Sequence, residues 1–490
     1  MTDATTVFPD RRARNVMWAY ITTGIAIFGL MVLVGLGMRA EQAQWLNYGP
    51  GLFYSLMTLH GAGMITSMVL CGMGGLWYLM NRERAMDPGI AWTAYAFMTI
   101  GVVCVIASVW PGGFGASWTF LYPLPFVGAT WPSWATGAFL IGLALIMFGW
   151  TVWCTQLLGC VLRAYGGLRG ATGWDLVFHH ARFEASGKAE PPPYAFAALV
   201  TAVDGLLAAA GGMLVGIALI VHWLYPGVAI DPLWAKNLTY FFGHTFANLT
   251  IYMAIGLVYY ALPKYADREW HTSAVLAVAW WGTLLFVAIA YFHHLYMDFA
   301  QPQAVQYVGE VASYLAAFPP AVVTIFGGAL LVYRSRLRWT MGSMFMYAGL
   351  IGWLIGGIGA LIDATVPINV SLHNTLWVPA HFHTYLLEGV ALFILGWVFW
   401  NLETHSGLTS SVRTRWLTGA GIFGGGGILL LGWYVAGADS VPRRYAAEPA
   451  PGPDIAAWAS IGAVILVIGL IICCVEAIRL AKSPRTETNP

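Results

Sequence analysis

One stretch decides how this chain is interpreted: Ser371-Leu-His-Asn-Thr-Leu-Trp-Val-Pro-Ala-His-Phe-His-Thr-Tyr-Leu-Leu-Glu388. Two of its histidines, His381 and His383, stand two residues apart at the start of a long apolar run. On an α-helix, residues i and i+2 are separated by about 200°, so the two imidazoles leave on nearly opposite faces. Burying an imidazole in such a segment is costly unless a partner satisfies it. We therefore expect one helix that holds a metal or cofactor on each side.

The composition is that of a membrane protein. The chain has 490 residues, of which 59% are hydrophobic and 9% are charged, and its mean hydropathy is +0.69. Soluble domains carry about 25% charged residues. The net charge of +1 and the lack of a Lys/Arg-rich arm argue against nucleic-acid binding. The six cysteines lie in apolar runs without metal-type spacing, which is typical of buried small hydrophobic residues.

Twelve apolar stretches are long enough to cross a bilayer. They cover roughly 15–38, 52–80, 91–110, 134–162, 194–224, 236–263, 272–296, 308–333, 342–364, 375–401, 416–437 and 456–480, each near the ~20 residues or more that a spanning helix needs. The longest connection, at about 164–193, contains Gly-Gly and Pro-Pro-Pro and is predicted to be a surface loop. We predict an all-α polytopic membrane protein in which residues 1–490 form a single transmembrane domain.

Positive charge marks one side of the predicted bundle. Basic residues flank alternate ends of the helices, at Arg11 to Arg14, Arg82 and Arg84, Arg163 to Lys188, Lys264 and Arg268, Arg334 to Arg338, Arg413 and Arg415, and Arg479 to Arg485. Because Lys and Arg concentrate in cytoplasmic connections, both termini are predicted to be cytoplasmic. The first helix lacks a small-residue cleavage site and is interpreted as uncleaved. These features predict a multi-pass protein of the bacterial cytoplasmic (inner) membrane, surrounded by lipid.

Two arginines break this rule. Arg443 and Arg444 fall on the outer side of the predicted bundle. They are either solvated loop residues or partners for anions docked at the outer face, as heme propionates would be.

Four further histidines occur in comparable apolar stretches. His60 lies on the outer half of the second stretch, followed by small residues that would let a flat macrocycle approach the backbone. Alone it would be an ordinary core histidine. Paired with His383 it becomes the second axial ligand of a six-coordinate, low-spin heme suited to electron transfer. His381 then faces a second, high-spin heme with a position left open for a diatomic molecule.

The remaining three histidines predict a second metal beside that open position. His244 lies in the sixth stretch, and His293 and His294 are adjacent near the end of the seventh. Adjacent residues diverge by about 100° on a regular helix, so both bind one ion only where the helix ends or distorts. Three imidazoles favour copper or iron over calcium or magnesium. By the predicted topology, all six histidines share one depth in the outer half of the membrane.

These residues resemble the catalytic subunit I of the heme–copper oxidase superfamily over essentially the whole chain. The motifs that carry the resemblance are Leu59-His-Gly61, the His-His pair, Trp377-Val-Pro-Ala-His-Phe-His383 and Pro442-Arg-Arg-Tyr445. Trp118-Thr-Phe-Leu-Tyr-Pro123 and His373-Asn-Thr-Leu-Trp377 look most similar to the B-type oxidases.

The resemblance implies a role for each site residue. His60 and His383 bind a low-spin heme, and His381 binds the high-spin heme. The second metal is bound by His244, His293 and His294. It is copper in the B-type oxidases, with non-heme iron as the alternative. Arg443, Arg444 and His373 lie at the propionates, and both hemes are expected to be b-type.

The sequence departs from the family at the redox tyrosine. Type A and B oxygen reductases carry a tyrosine four residues after the first copper histidine, where this chain has Asn248. The C-type oxidases place it six residues before the histidine pair, where this chain has Val287. Tyr291 and Tyr296 are the nearby candidates for an unusual replacement.

Nitric oxide reductases of this superfamily dispense with the tyrosine, so the sequence favours the reaction 2 NO + 2 e⁻ + 2 H⁺ → N₂O + H₂O. The alternative is a B-type terminal oxygen reductase, a cytochrome oxidase that reduces O₂ to water with an unusual tyrosine. A membrane heme protein that only relays electrons would leave the three metal histidines unexplained.

Protons and electrons must both reach the site. Glu310 and Ser313 share a helix face that the resemblance places on the proton route. A carboxylate there could act as an acid near Asn248, so Asn248 and Glu310 are both candidate active-site residues. Glu388, seven residues after His381, is a candidate for a proton or structural role. Asp204 and His222 are expected to form hydrogen bonds between helices. The chain has no CxxCH motif, so electrons are expected from a donor subunit or from a cytochrome c or cupredoxin.

Overall fold

A computed structural model describes residues 11–117, 130–187 and 190–483. Within this part of the chain, twelve helices are long and apolar enough to cross a membrane. They are α1 (Arg11–Gln42), α2 (Gly49–Glu83), α3 (Pro88–Val109), α4 (Ser133–Ala164), α5 (Pro193–Leu224), α6 (Pro232–Ala266), α7 (Ala274–Leu295), α8 (Ala304–Val332), α9 (Met341–Ala364), α10 (Trp377–Ser406), α11 (Val412–Ala438) and α12 (Gly452–Lys482). The prediction of an all-helical bundle with twelve spans is confirmed.

Most of the helices extend a few residues beyond the apolar stretches, because polar residues at their ends cap the free backbone groups. Asp87 accepts a hydrogen bond from the Gly89 amide at the start of α3. Asp231 caps α6 through the Trp234 amide at 2.7 Å, and Ser273 caps α7. Such caps stabilise a helix by about 1 kcal/mol each. Hydropathy therefore locates the membrane-embedded part of a helix, and the caps define its ends.

The connection between α4 and α5 differs from the predicted loop. It contains three short helices, Leu168–Ala171, Trp174–Phe178 and His180–Ala185. The rings of Trp174 and Phe178 both stack on Trp281 of α7. These apolar contacts fold the segment back onto the bundle. Three features of the sequence analysis, the Trp118–Pro123 motif, Lys188 and Arg485, lie outside the described residues.

The histidine-bearing helices lie at the centre of the bundle. In the most apolar window of α6, 89% of the residues are buried, and in α10 the share is 72%. The corresponding share in α1 is only 22%, so α1 faces the surroundings of the bundle. The three histidines of α6 and α10 therefore lie on the two most buried of the twelve helices.

The helix α10 changes its geometry immediately after the two histidines. Residues Trp377–His383 are α-helical, and Thr384–Ala391 form a π-helix before the α-helix resumes at Leu392. Single π-helical turns within α-helices often lie at functional sites. Here the wide turn begins directly next to the residues that the sequence singled out.

Candidate heme and metal centres

His60 on α2 and His383 on α10 face each other across the bundle. Their rings are within 16° of parallel, and their centroids are 6.0 Å apart. Two metal–nitrogen bonds of about 2 Å, plus the distance from each nitrogen to its ring centre, add up to roughly this separation. The structure therefore brings the two predicted axial ligands to a spacing that fits one six-coordinate iron.

The backbone fixes which nitrogen of each ring is available. His60 Nδ1 lies 2.8 Å from the Met31 carbonyl oxygen, and His383 Nδ1 lies 2.8 Å from that of Pro379. A carbonyl only accepts, so Nδ1 carries the proton in both rings and Nε2 is left as a metal ligand. Both histidines are thus oriented for the role that the sequence predicts.

The space around His60 depends on a glycine of α1. A Cβ placed on Gly35 would lie 2.7 Å from His60 Cε1, closer than van der Waals contact allows. We expect Gly35→Ala to displace the His60 ring and to convert the low-spin heme absorption spectrum toward that of a five-coordinate heme. Gly37→Ala is the matched control, because no atom lies within 4 Å of a Cβ there. Identical optical spectra for both variants would contradict this account of Gly35.

Arg39 is a residue that the sequence analysis missed. It is buried in α1 and pairs with the buried Glu448 at 3.0 Å. Its guanidinium lies over the Trp433 ring, and Trp433 in turn packs against His383. Two of its nitrogens, Nε and Nη2, have no hydrogen-bond partner among the described residues. These buried donors line the same cavity as His383 and would suit an anionic group of a cofactor.

His381 faces a different side of α10 from His383, as predicted. Its Nε2 lies 3.4 Å from Oδ2 of Asp363 at the end of α9. The carboxyl group of Asp363 is itself held by the side-chain amide of Asn369. A carboxylate on one imidazole nitrogen orients the ring and leaves the other nitrogen for a metal. His381 is therefore positioned for a second cofactor, separate from the one between His60 and His383.

The other three histidines converge on one point. Their candidate ligand atoms all lie within 4.8 Å of one another. His244 Nδ1 is 3.2 Å from His294 Nε2, and the rings of His293 and His294 are 4.2 Å apart. Nitrogens that share a metal at about 2 Å lie about 3.3–3.5 Å from each other. The adjacent pair lies in the 3₁₀ segment Tyr291–Leu295, so the regular helix ends there, as the sequence required.

Neighbouring residues orient two members of this trio. The Ser313 hydroxyl donates to the Gly309 carbonyl at 2.6 Å, so its oxygen accepts from His293 Nδ1 at 2.9 Å. Nε2 of His293 is then free for a metal. The Tyr240 ring stacks on His294 with centroids 5.0 Å apart. Ser313 was predicted on the proton route, and the structure places it against His293, a predicted metal ligand.

Asn248 lies one helical turn from His244, and its side chain contacts that residue. The amide nitrogen donates to the His244 carbonyl oxygen at 2.8 Å and lies 3.3 Å from His244 Nε2. On the other side, the Tyr385 hydroxyl donates to Asn248 Oδ1 at 3.1 Å. Tyr385 lies on α10, and the sequence analysis did not single it out. It brings a phenol next to the trio from a third helix.

The other tyrosine and glutamate candidates from the sequence form hydrogen bonds with residues outside the trio. Tyr291 donates to Asn237 Oδ1 at 2.9 Å, and Tyr296 donates to the Ala364 carbonyl at 3.0 Å. Val287 is buried in α7. The Glu310 carboxyl accepts from Tyr314 at 3.3 Å, and within the described residues no carboxylate joins the three histidines. A role for Glu310 in proton transfer stays a prediction.

The two arginines lie on a loop that is tied to the start of α10. The Arg443 amide donates to the Asn374 carbonyl at 2.8 Å, and its guanidinium donates to Asn374 Oδ1 at 3.0 Å. Burial, and then the neighbouring Arg444, lower the pKa of Arg443 to about 10, so it stays charged at neutral pH. Burial and Arg443 lower the pKa of His373 to about 4, so that imidazole is neutral. This positively charged rim suits anionic groups such as propionates.

One cavity joins all of these groups. It holds about 2300 Å³ of space free of protein atoms, including its open mouth. Its lining includes all six histidines together with Arg39, Arg443, Arg444, Asn248 and Tyr385. The donor sets, their spacing and the unpaired nitrogens of Arg39 fit two hemes and one further metal.

Comparisons with known proteins cover nearly the whole chain. Residues 15–472 match the family model of cytochrome c and quinol oxidase polypeptide I. The chain is 26% identical to cytochrome c oxidase subunit 1 of Thermus thermophilus, over 96% of this chain and 83% of that protein. It is 25% identical to the Candida albicans subunit 1, over 91% and 84% of the two chains. A heme–copper terminal oxidase dimer solved by cryo-electron microscopy has a similar fold, with a TM-score of 0.80 at 19% identity over 97% of this chain and 85% of that one.

Proposed function

The chain belongs to the cytochrome c and quinol oxidase polypeptide I family, and within that family we propose that it is the catalytic subunit of a membrane nitric oxide reductase. The observation that carries the proposal is Asn248. Its amide lies 3.3 Å from His244 Nε2, at the position where the family resemblance places the tyrosine of type A and B oxygen reductases.

The chemistry of the two reactions explains why this residue matters. Coupling two NO molecules takes two electrons and two protons: 2 NO + 2 e⁻ + 2 H⁺ → N₂O + H₂O. Reducing O₂ to water takes four of each and breaks an O–O bond, and in the oxygen reductases the tyrosine supplies one electron and one proton for that step. An amide carries neither an accessible electron nor an acidic hydrogen. Asn248 is compatible with the first reaction without further residues.

The proposed cofactors follow from the donor sets. His60 and His383 would hold the low-spin heme, His381 the high-spin heme, and the trio would hold copper. Three imidazoles without a carboxylate favour copper over non-heme iron. When bound, the hemes and the metal supply electron transfer and an open position for the gas.

The chain itself contributes orientation and charge. The carbonyls of Met31 and Pro379 and the hydroxyl of Ser313 fix three imidazoles in single orientations. The Asn248 side chain donates a hydrogen bond to the His244 backbone carbonyl, one helical turn earlier on α6. Arg443 and Arg444 supply positive charge at the rim, where heme propionates would lie.

The proposed subunit lies in a membrane and receives electrons and NO from outside the chain. We place the subunit in a bacterial cytoplasmic membrane, and the bias of Lys and Arg toward one side supports an orientation with the metal sites in the outer half. Electrons would come from a donor subunit, a cytochrome c or a cupredoxin. NO would reach the site through the surrounding lipid.

A terminal oxygen reductase is the second candidate, and Tyr385 favours it. The hydroxyl of Tyr385 donates to Asn248 Oδ1 at 3.1 Å, so a phenol lies one side chain away from His244. In this alternative, Tyr385 would replace the missing tyrosine from α10.

One pair of assays separates the two functions. Purified, reduced enzyme is given NO without oxygen and, separately, O₂, and N₂O and O₂ consumption are quantified. We expect N₂O in the first assay, and we expect Tyr385→Phe to retain N₂O formation within about threefold, since the variant loses one neutral hydrogen bond of about 1 kcal/mol. Rapid O₂ consumption without N₂O, abolished in Tyr385→Phe, would establish the oxygen reductase instead.

A further inference from the structure

Glu388 is a buried carboxyl group to which the site gives no role. It lies in the π-helical segment of α10 and is 3% exposed. Neither carboxyl oxygen has a hydrogen-bond partner among the described residues. Removing a charged carboxylate from water without a partner is very costly, so a group in this position is held in its neutral form. A neutral carboxyl inside the membrane carries a proton that it can release.

Glu388 shares a face of α10 with a cofactor ligand. A Cβ on Gly359 of α9 would lie 2.9 Å from His381 Cβ, and one on Gly352 would lie 2.5 Å from Glu388 Cβ, so His381 and Glu388 form a row along α9. Glycines of the neighbouring helices lie against this row. A Cβ on Gly426 of α11 would overlap Glu388 Oε1, and one on Gly352 of α9 would overlap the Glu388 backbone. The glycines leave a groove in which the carboxyl fits between α9 and α11.

Two hydroxyl groups, those of Thr384 and Tyr434, lie near His381. Thr384 Oγ1 donates to the Ala380 carbonyl at 2.8 Å and lies 3.4 Å from the Tyr434 hydroxyl of α11. A Cβ on Gly359 would lie 2.7 Å from that hydroxyl and 2.9 Å from His381 Cβ, so Tyr434 reaches the side of His381. Hydroxyl groups both donate and accept, so they can pass a proton along a chain.

The titratable groups that face this row are few. Among the described residues, His381 lies on α10 itself, Tyr434 reaches it from α11, and Asp363 at the end of α9 contacts His381. From α6, Tyr252 lies near Tyr385, the residue that follows Thr384. From α9, the group against Glu388 is the glycine Gly352, and Trp353 lies against the next residue, Gly389. No cation lies within ion-pair distance of Glu388 in this part of the chain. The carboxyl is therefore free to exchange its proton without breaking an ion pair.

We propose that Glu388 is an internal proton donor for the catalytic cavity. Its O–H bond breaks, and a water molecule takes up that proton and passes another to the hydroxyls of Tyr434 and Thr384, each of which accepts one proton as it releases another. The proton ends on the oxygen that leaves as water, and the carboxylate then takes a proton from the cytoplasmic side. No electron is transferred in this step. The inference rests on the proposed function only in that the reaction consumes protons, which NO and O₂ reduction both do.

The first test measures the infrared band of the protonated Glu388 carboxyl. Reduced-minus-oxidised infrared difference spectra of the purified holoenzyme should contain a protonated carboxyl band that shifts in D₂O. We expect Glu388→Gln to remove it and Asp204→Asn to leave it. Asp204 is a matched control, since it is another buried carboxyl without a hydrogen-bond partner in the described chain, contrary to the bond expected from the sequence. A Glu388→Gln spectrum that keeps the band overturns the proposal.

The second test follows protons and turnover. With the gas that the wild type reduces, Glu388→Gln is expected to slow proton uptake and kcat by on the order of a hundredfold, with KM and both heme spectra unchanged. Glu388→Asp should recover part of the rate. Wild-type proton uptake in Glu388→Gln would refute the role. If instead the nitric oxide reductase proposal fails, the wild type forms no N₂O, and the effect of Glu388→Gln on proton uptake can still be measured with O₂.

A glycine variant covers the case in which Glu388→Gln does not fold. Gly426→Ala places a methyl group where the carboxyl oxygen lies, and it should slow proton uptake and shift the infrared band. Gly427→Ala is its control, because nothing lies within 4 Å of a Cβ there. Equal proton uptake in both glycine variants, with the band unmoved, would count against Glu388.

Discussion

Replacing His293 by alanine is expected to abolish gas reduction while the low-spin heme spectrum stays intact. The residue is one of three imidazoles that converge within 4.8 Å, and it has no contact with the His60–His383 pair. Loss of one ligand should release the metal, and with it several kcal/mol of transition-state stabilisation. We expect activity to fall by about a thousandfold or more, equivalent to roughly 4 kcal/mol. Turnover assays, metal analysis and optical spectra of the purified variant measure the three effects.

Ser313→Ala provides a graded control for this prediction. It keeps all three ligands but removes the hydroxyl that accepts from His293 Nδ1 at 2.9 Å. Loss of such an orienting partner weakens metal binding by about 10–100-fold, so added copper should restore activity in Ser313→Ala and not in His293→Ala. One copper per protein and wild-type turnover in His293→Ala would show that the trio is not the metal site.

The sequence was enough to predict the helices and the directions of their histidines. Apolar runs mark the twelve spans because each must match the thickness of the membrane. The different directions of His381 and His383 follow from the i, i+2 spacing on one helix, and the irregular end of α7 was predicted from the two adjacent histidines. These features depend on local geometry, which the order of residues determines.

Contacts between distant helices were not predictable in this way. Arg39 and Glu448 are 409 residues apart, and Tyr385 meets Asn248 across 137 residues. Each contact depends on how two helices rotate and slide against each other, which one sequence does not specify. The one available signal was a charged residue in or beside an apolar run, as at Arg39 and Asp363. His222 shows the limit of that signal, because it bonds the Val228 carbonyl in its own loop and not another helix.

Replacing His381 or His383 of α10 by alanine is expected to have two different effects on the heme spectra and on turnover. His383→Ala is expected to eliminate the low-spin heme signal and to reduce turnover with an external electron donor by about a thousandfold, since electrons would no longer pass from donor to cavity. His381→Ala should instead keep that signal, because the rings of His60 and His383 remain 6.0 Å apart in a frame held by backbone carbonyls. It should lose the spectral change that NO or CO causes in the reduced wild type.

A single-turnover experiment makes the difference decisive. Chemically reduced His383→Ala still has its high-spin heme and metal trio, so one NO pulse should yield up to one N₂O per two NO without an external donor. Reduced His381→Ala should yield none, although it accepts electrons from the donor at the wild-type rate. The two side chains start two residues apart and point to Asp363 on one side and His60 on the other. If both variants lost the same heme signal, the two faces of α10 would serve one cofactor, and the assignment of His381 to a second one would be wrong.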